Sequence, residues 1–253
     1  PLLPARAPLD PAVAERFRFV GAGARLALPR GVRVDEPLRG QLVLVREDER
    51  GRVVDVTGVQ LAGALDARWA AAATAPDLGA TALAGATSFA LWAPTAHRVS
   101  VCLYPDARRA AARLAPLRRD PATGIWRDTL AGVGHGDAYR YVVDVVVPGA
   151  GVVRNRVTDP YALGLTADSR RAVVLDPRHP STRPPGWDDA ARPAPLAAPT
   201  DQTVYELHVR DFSVVAATVS EPWRGRFLAF TEPASDGMRH LRALAAAGLT
   251  DAH

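Results

Sequence analysis

Seven prolines fall within the 23 residues Pro177–Pro199, and they set the plan of the whole chain. Proline has no amide hydrogen to donate, fixes its own φ, and biases the residue before it away from helix. The segment can be neither a helix nor a central strand, and it reads as an extended connector between domains. Four regions are expected around it. A β-rich accessory domain takes residues 1–80 and a β-sandwich takes residues 81–176. The connector is residues 177–200, and a strand–helix piece occupies residues 201–253.

The portion before the connector is patterned as strands. Leu42–Val45 and Val53–Val56 flank the polar turn Glu47–Gly51, which predicts a β-hairpin. Leu65, Trp69 and Ala72 stand at helical spacing and predict a short helix over Leu65–Thr74, which Pro76 helps to end. Thr87–Trp92 is a strand with Phe89 and Leu91 on one face. In Arg98–Tyr104, Val99, Val101 and Leu103 alternate with Arg98, Ser100 and Cys102. Asp120–Gly124 is a strong turn signal before a strand at Ile125–Thr129. A long strand at Ala138–Val147 turns through Pro148–Gly151 into Val152–Val157. Short strands repeating about every ten residues predict a sandwich.

After the connector, Thr203–Val209 reads as a strand. Ser235 is a candidate N-cap for a helix running to about Ala247, with Met238, Leu241 and Leu244 or Ala245 on its buried side. Gly248 suits the C′ position, and a second strand starts at Leu249. A strand–helix–strand unit buries its apolar faces only when further units close around it. A (β/α)8 barrel needs about 250 residues by itself, far more than follow Thr200. The expected fold class is therefore mainly β. It comprises an N-terminal β domain and an immunoglobulin-like β-sandwich, followed by the first β-α unit of an incomplete (β/α)8 barrel. Either this last piece packs on the β domains or the chain is truncated, and truncation is the favoured expectation.

Composition excludes several classes. The 31 basic residues are all arginine, no lysine occurs, and the net charge is +4. These charges are interspersed, without the basic stripe or tail that a nucleic-acid surface requires, so no nucleic-acid partner is expected. The longest uncharged run, Leu78–Ala96, contains three Gly or Pro and alternates polar with apolar residues, so no membrane span is expected. Cys102 is the sole cysteine, which rules out an intrachain disulfide and a cysteine zinc cluster. Pro1–Pro4 shows no signal-peptide pattern and no initiator Met, so neither a cytoplasmic nor a secreted location is assigned.

No constellation of residues adds up to a catalytic centre, a cofactor site or a metal site. Gly132-Val133-Gly134-His135-Gly136 lies between two strands, whereas a dinucleotide loop joins a strand to a helix. His97, His135, His179, His208, His240 and His253 have no partners at metal-ligand spacing, and His208 is expected to be a packing residue within a strand. Asp188-Asp189 reads as a solvated turn in the connector. Sugar rings stack their C–H faces on exposed aromatic rings, which makes the aromatics the last candidates. For Trp92, Trp126, Tyr139 and Tyr141, all on strands, core packing comes first. Trp187 and Trp223, in loops, are better placed to meet a ligand.

Further motifs carry a family resemblance. Phe89-Ala90-Leu91-Trp92-Ala93-Pro94-Thr95-Ala96 followed by Val99–Tyr104 resembles the opening of a carbohydrate-binding module of family 48. Gly124-Ile125-Trp126, Tyr139-Arg140-Tyr141 and Thr158-Asp159-Pro160-Tyr161-Ala162 fit the rest of that module. Thr203–Ser213 resembles the first barrel strand of glycoside hydrolase family 13 debranching enzymes. Phe227–Thr231 with Ser235–Met238 resembles the bacterial pullulanase-type α-1,6-glucosidases, as does the Leu38–Gly63 stretch of the accessory domain.

The resemblance implies retaining hydrolysis of α-1,6-glucosidic bonds in pullulan, starch or glycogen, using a nucleophilic Asp and an acid/base Glu. In the family those carboxylates follow the fourth and fifth barrel strands, so no catalytic residue can be assigned here. Cofactors are not implied, and calcium, left open for the full-length family, is assigned to no residue. Arg210, Asp211 and Phe212 are expected at the catalytic face of the barrel, as cleft-lining substrate contacts or as loop anchors. The two regions where glycan-binding members carry stacking tryptophans, near Asp106–Arg109 and Gly149–Gly151, contain no aromatic residue.

Two functions are therefore weighed: the N-terminal part of a debranching enzyme, inactive by itself, and a stand-alone α-glucan-binding module or scaffold. Both take branched α-glucan as partner.

Overall fold

The computed structural model describes residues 2–253 except Ala22, residues 105–109, Ala112 and residues 191–192. The family position at Asp106–Arg109 thus lies outside the described residues. The chain divides into two compact units, Pro1–Pro184 and Pro185–His253.

The first unit opens with β1 (Leu3–Pro4) antiparallel to β2 (Leu26–Ala27), with α1 (Pro11–Arg16) between them. The Asp10 side chain caps α1 by accepting the Ala12 amide at 2.8 Å, and Pro11 begins the helix where its missing N–H costs nothing. The expected hairpin follows as β3 (Val43–Glu47) and β4 (Val53–Gly58). Its turn is held by Asp48, whose carboxylate accepts the amides of Arg50 and Arg52 at 2.8 and 3.0 Å.

The helix expected over Leu65–Thr74 is corrected in two ways. It begins earlier, as α2 (Ala62–Arg68), and it breaks at Trp69 into a 3-10 turn, Ala70–Thr74. The physical reason is the Trp69 ring. With φ −121° and ψ 27° the residue leaves the helix and its indole becomes buried. The indole N–H donates to the Pro121 carbonyl at 3.2 Å, and the guanidinium groups of Arg68 and Arg119 lie 5.5 and 5.4 Å from the ring centre.

Ten strands build the sandwich: β5 (Gly79–Leu83), β6 (Ala86–Trp92), β7 (Arg98–Tyr104), β8 (Arg113–Pro116), β9 (Arg118–Arg119), β10 (Ile125–Ala131), β11 (Ala138–Val147), β12 (Gly151–Val157), β13 (Gly164–Leu165) and β14 (Ala172–Val173). One sheet has the order β5-β6-β10-β9. The other runs β13-β14-β11-β7-β8, with β12 also paired to β11. The inward faces are those that alternation predicts. Phe89 and Leu91 of β6 meet Val99, Val101 and Leu103 of β7 and Tyr139 and Tyr141 of β11 in one buried cluster. Phe89 and Tyr139 join the sheets edge-to-face at 5.0 Å. Each buried Val or Phe contributes roughly 1.5–3 kcal/mol through apolar area removed from water.

The outer face of the first sheet is also covered. Ala90 and Ile125 are buried there beneath Ala72, with Ala75, Leu78 and Trp92 packed around them. Arg127 of β10 fixes this cover by a two-pronged pair to Asp77, at 2.7 and 3.2 Å. The Arg127 guanidinium holds the Asp77 carboxyl below the usual carboxylate range.

Among the described residues of the proline-rich stretch no α-helix or strand occurs, but it is not uniformly extended. A 3-10 turn at Pro180–Thr182 is anchored to the sandwich by His179, which stacks on His135 at 4.0 Å. The Ser181 hydroxyl lies 3.0 Å from His135 Nε2 and 2.8 Å from His179 Nδ1.

The second unit holds β15 (Val204–Tyr205), α3 (Val209–Ser213), α4 (Asp236–Ala246) and β16 (Asp251–Ala252), with β15 and β16 parallel. The strand expected over Thr203–Val209 is therefore shorter. Its pairing with the chain end stops at Leu207, whose amide donates to the His253 carbonyl. His208 is exposed at the N-cap of α3, which corrects its expected place within a strand. Ser235 caps α4 as expected. Past α4, the Gly248 and Leu249 amides return to the Ala245 and Leu244 carbonyls, closing the helix with Gly248 at φ +106°. Met238, Leu241 and Leu244 are half-buried, Ala245 is exposed, and no residue of α4 is fully buried in this unit.

Candidate functional site

The first unit carries a cleft of about 570 Å³. Trp92 of β6, on the outer sheet face, forms one side, with Tyr161 and Leu78 beside it. Ala72, Ala73 and Ala75 also line the cleft, and Arg16 and Asp66 contribute from α1 and α2. Trp92 is half-buried and its ring is fixed, because its indole N–H donates to the Thr123 carbonyl at 3.1 Å. Arg16 and Asp66 form an ion pair whose side chains are about half exposed. Among the described residues the Tyr161 hydroxyl has no hydrogen-bond partner.

Behind Tyr161 lies an acid that sequence reasoning did not single out. Asp159 is buried, accepts the Tyr139 hydroxyl at 2.6 Å, and accepts the Tyr161 amide at 2.8 Å. Burial pushes its carboxyl up from the usual range, while the two hydrogen bonds oppose that shift. Burial, reinforced by the Asp159 charge, pushes the Tyr139 and Tyr141 phenols far above 10. The arrangement locks the chain after β12 onto the core and offers no exposed acid for chemistry.

This sets an alkaline limit. Unfolded tyrosines ionise near 10, whereas the folded state keeps both phenols protonated. The folded state then binds more protons, so stability is fully present below pH 10 and falls as pH rises above it. Thermal melts between pH 8 and 11 are expected to show a declining Tm above pH 10, with a shallower decline in Tyr141→Phe. A flat profile would contradict the burial of these phenols.

The other acids with displaced titration are held low by arginine or by donors. Arg68 holds Asp35 down and Arg154 holds Asp144 down, each through a two-pronged hydrogen bond. Among the described residues no three His, Cys, Asp or Glu gather as metal ligands.

The residues expected in a substrate cleft lie together on α3 of the second unit. Arg210 and Asp211 are exposed and pair with each other at 3.4 Å, with His208 Nδ1 3.8 Å from Asp211. Phe212 is a packing residue: its ring stacks on Phe230 at 4.6 Å and fills the space where a Cβ on Gly237 would sit, 2.6 Å away. Trp187 is 60% exposed in its turn and Trp223 36%, so both retain the accessibility expected of loop tryptophans. Trp126, Tyr139 and Tyr141 are buried core residues, as expected. Gly149–Gly151 is the exposed tip between β11 and β12. Sequence reasoning missed the cleft because its walls come from distant segments, although Trp92 and Tyr161 each stood within a motif of the family resemblance.

The first unit is a two-sheet sandwich preceded in sequence by a small hairpin-and-helix region. Residues 77–162 match carbohydrate-binding module 48, the isoamylase N-terminal domain, and residues 2–67 match the pullulanase N2 domain. The chain is 36% identical over 242 residues to the pullulanase of Klebsiella pneumoniae, covering 94% of this chain and 22% of that one. It is likewise 36% identical to pullulanase 1, chloroplastic, of Arabidopsis thaliana, covering 95% and 25%. Apo pullulanase from Klebsiella pneumoniae superposes with a TM-score of 0.89 at 34% identity, over 99% of this chain and 27% of that one. The same enzyme complexed with maltotriose superposes with a TM-score of 0.88 over 99% and 24%. The chain thus carries a pullulanase N2 domain and a family-48 module, resembles the N-terminal region of pullulanases, and spans about a quarter or less of the curated relatives it matches.

Proposed function

We propose that this chain is the glucan-engaging N-terminal part of a glycoside hydrolase that cleaves α-1,6 branch linkages in pullulan, starch or glycogen with retention. One observation carries this reading. The N2 domain and the family-48 module occur in tandem, within an alignment to a pullulanase that covers 94% of this chain. In this reading residues 1–80 and 81–176 are accessory domains, 177–200 is a connector, and 201–253 begins a (β/α)8 barrel. Arg210 and Asp211, exposed on α3, are the cleft-facing residues of that barrel, with Phe212 holding α3 in place.

The chemistry of such an enzyme needs two carboxyl groups about 5–5.5 Å apart across the scissile bond. The carboxylates with displaced titration described here are committed elsewhere: Asp159 to the core, and Asp35, Asp77 and Asp144 to arginines. In this reading labour is divided: this chain binds and positions glucan, and hydrolysis uses a carboxylate pair other than these four committed acids.

Incubation with pullulan is expected to release no reducing ends, while granular starch depletes the chain from solution. Release of maltotriose by the purified chain would overturn the division of labour. Failure to adsorb to starch would count against glucan engagement.

A further inference from the structure

We propose that the cleft lined by Trp92 and the Ala72–Ala75 turn is an α-glucan subsite that takes a short run of glucose units. The inference rests on the glucan-engaging reading above and gives that engagement a location. This site is distinct from the β11–β12 tip at Gly149–Gly151, which carries no aromatic side chain.

The cleft has the chemistry a pyranose requires. A sugar ring presents apolar C–H groups on its faces and hydroxyls around its rim, so a good site offers an aromatic face and polar groups at the edge. Trp92 supplies the face. Its N–H is already spent on Thr123, which leaves the ring to stack and not to hydrogen-bond. Much of the remaining lining is alanine (Ala72, Ala73 and Ala75), whose methyl groups leave room for a ring. The polar groups of the lining are those of Tyr161, whose hydroxyl has no partner among the described residues, and the half-exposed Arg16–Asp66 pair. Together they offer donors and acceptors to a run of hydroxyls.

The site is also rigid. Trp92 sits opposite Ile125 in the sheet register, and Ile125 is fully buried. The alanine-bearing segment is clamped by the Asp77–Arg127 pair. Ordering costs on binding are therefore small. The volume, about 570 Å³, lies within the range of about 300–1,000 Å³ typical of small-molecule sites. A larger cleft of about 950 Å³ in the accessory domain is lined by aliphatic side chains with only Gln60 and Arg68 polar, and it has no aromatic wall for a sugar.

The test is calorimetric titration of the whole chain with maltohexaose, comparing wild type with Ala73→Phe and Tyr161→Phe. Ala73 is exposed on the cleft wall, so a phenyl group there fills the cleft without removing an existing contact. Ala73→Phe is expected to weaken binding at least tenfold with Tm unchanged, and Tyr161→Phe severalfold. Wild-type binding that both variants leave intact would overturn this location while sparing the parent reading. Absence of binding by the wild type would overturn the parent reading and the location with it. Should Ala73→Phe lower Tm, Tyr161→Phe, which deletes a single oxygen, decides: unchanged affinity overturns the assignment, and a severalfold loss supports it.

Discussion

Gly124→Ala is expected to destabilise the first unit by about 2–5 kcal/mol, combining roughly 1–2 for a left-handed residue with a Cβ and 1–3 for overpacking. Gly124 closes the Asp120–Gly124 turn at φ +70°, where its amide donates to the Asp120 carbonyl at 2.8 Å. A Cβ at this position would stand 2.6 Å from Pro94 Cβ, 2.9 Å from Pro94 Cα and 3.3 Å from Trp69 Cδ1. Neither neighbour can give way easily. Pro94 is a rigid ring between β6 and β7, and Trp69 is pinned by its hydrogen bond to Pro121. Denaturant midpoints measure the effect. A loss under about 1 kcal/mol would mean that the turn and the Trp69 anchor are not packed as described.

Tyr139→Ala should cost more. Removing a large buried aromatic side chain costs about 3–5 kcal/mol through lost burial and the cavity left behind. Tyr139 is fully buried, touches Phe89 edge-to-face at 5.0 Å and Tyr141 at 5.8 Å, and thereby joins the two sheets. Its loss also takes away one of the two donors to Asp159, and an under-satisfied buried acceptor costs about 1–3 kcal/mol more. Tyr139→Phe separates the terms, since it keeps the ring and loses only the hydroxyl. The alanine variant is expected to be largely unfolded at 37 °C by circular dichroism, and the phenylalanine variant folded with a lower Tm. Equal losses in the two variants would contradict the packing role of the ring.

What was legible in the sequence follows from periodicity. The strands β6, β7 and β11 could be read because one face of each carries Val, Leu, Phe or Tyr at alternate positions, and that face is the buried one. The helix at Asp236–Ala246 carried its own signals in Ser235 and Gly248. The strand β5, of sequence Gly-Ala-Thr-Ala-Leu, had no such signal, because its small residues pair with β6 through the backbone and bury little. The strands β8 and β9 carry arginine and proline at a sheet edge, which local patterning reads as loop. At Trp69 tertiary packing overrode helical spacing: burying the indole outweighed continuing the helix. In Thr203–Val209 alternation overstated the strand, since pairing with the chain end supports only its first residues. The cleft was illegible for a different reason. Arg16, Asp66, Trp92 and Tyr161 are brought together by the fold, and no local pattern marks their meeting. The family resemblance supplied the carbohydrate class that residue chemistry alone did not.

Electrophoresis of the purified chain through native gels with and without pullulan tests the central claim most directly. Retarded mobility that grows with pullulan concentration, relative to a non-binding reference protein, is the result expected of a glucan-engaging accessory region. Mobility unchanged at every pullulan concentration would contradict it.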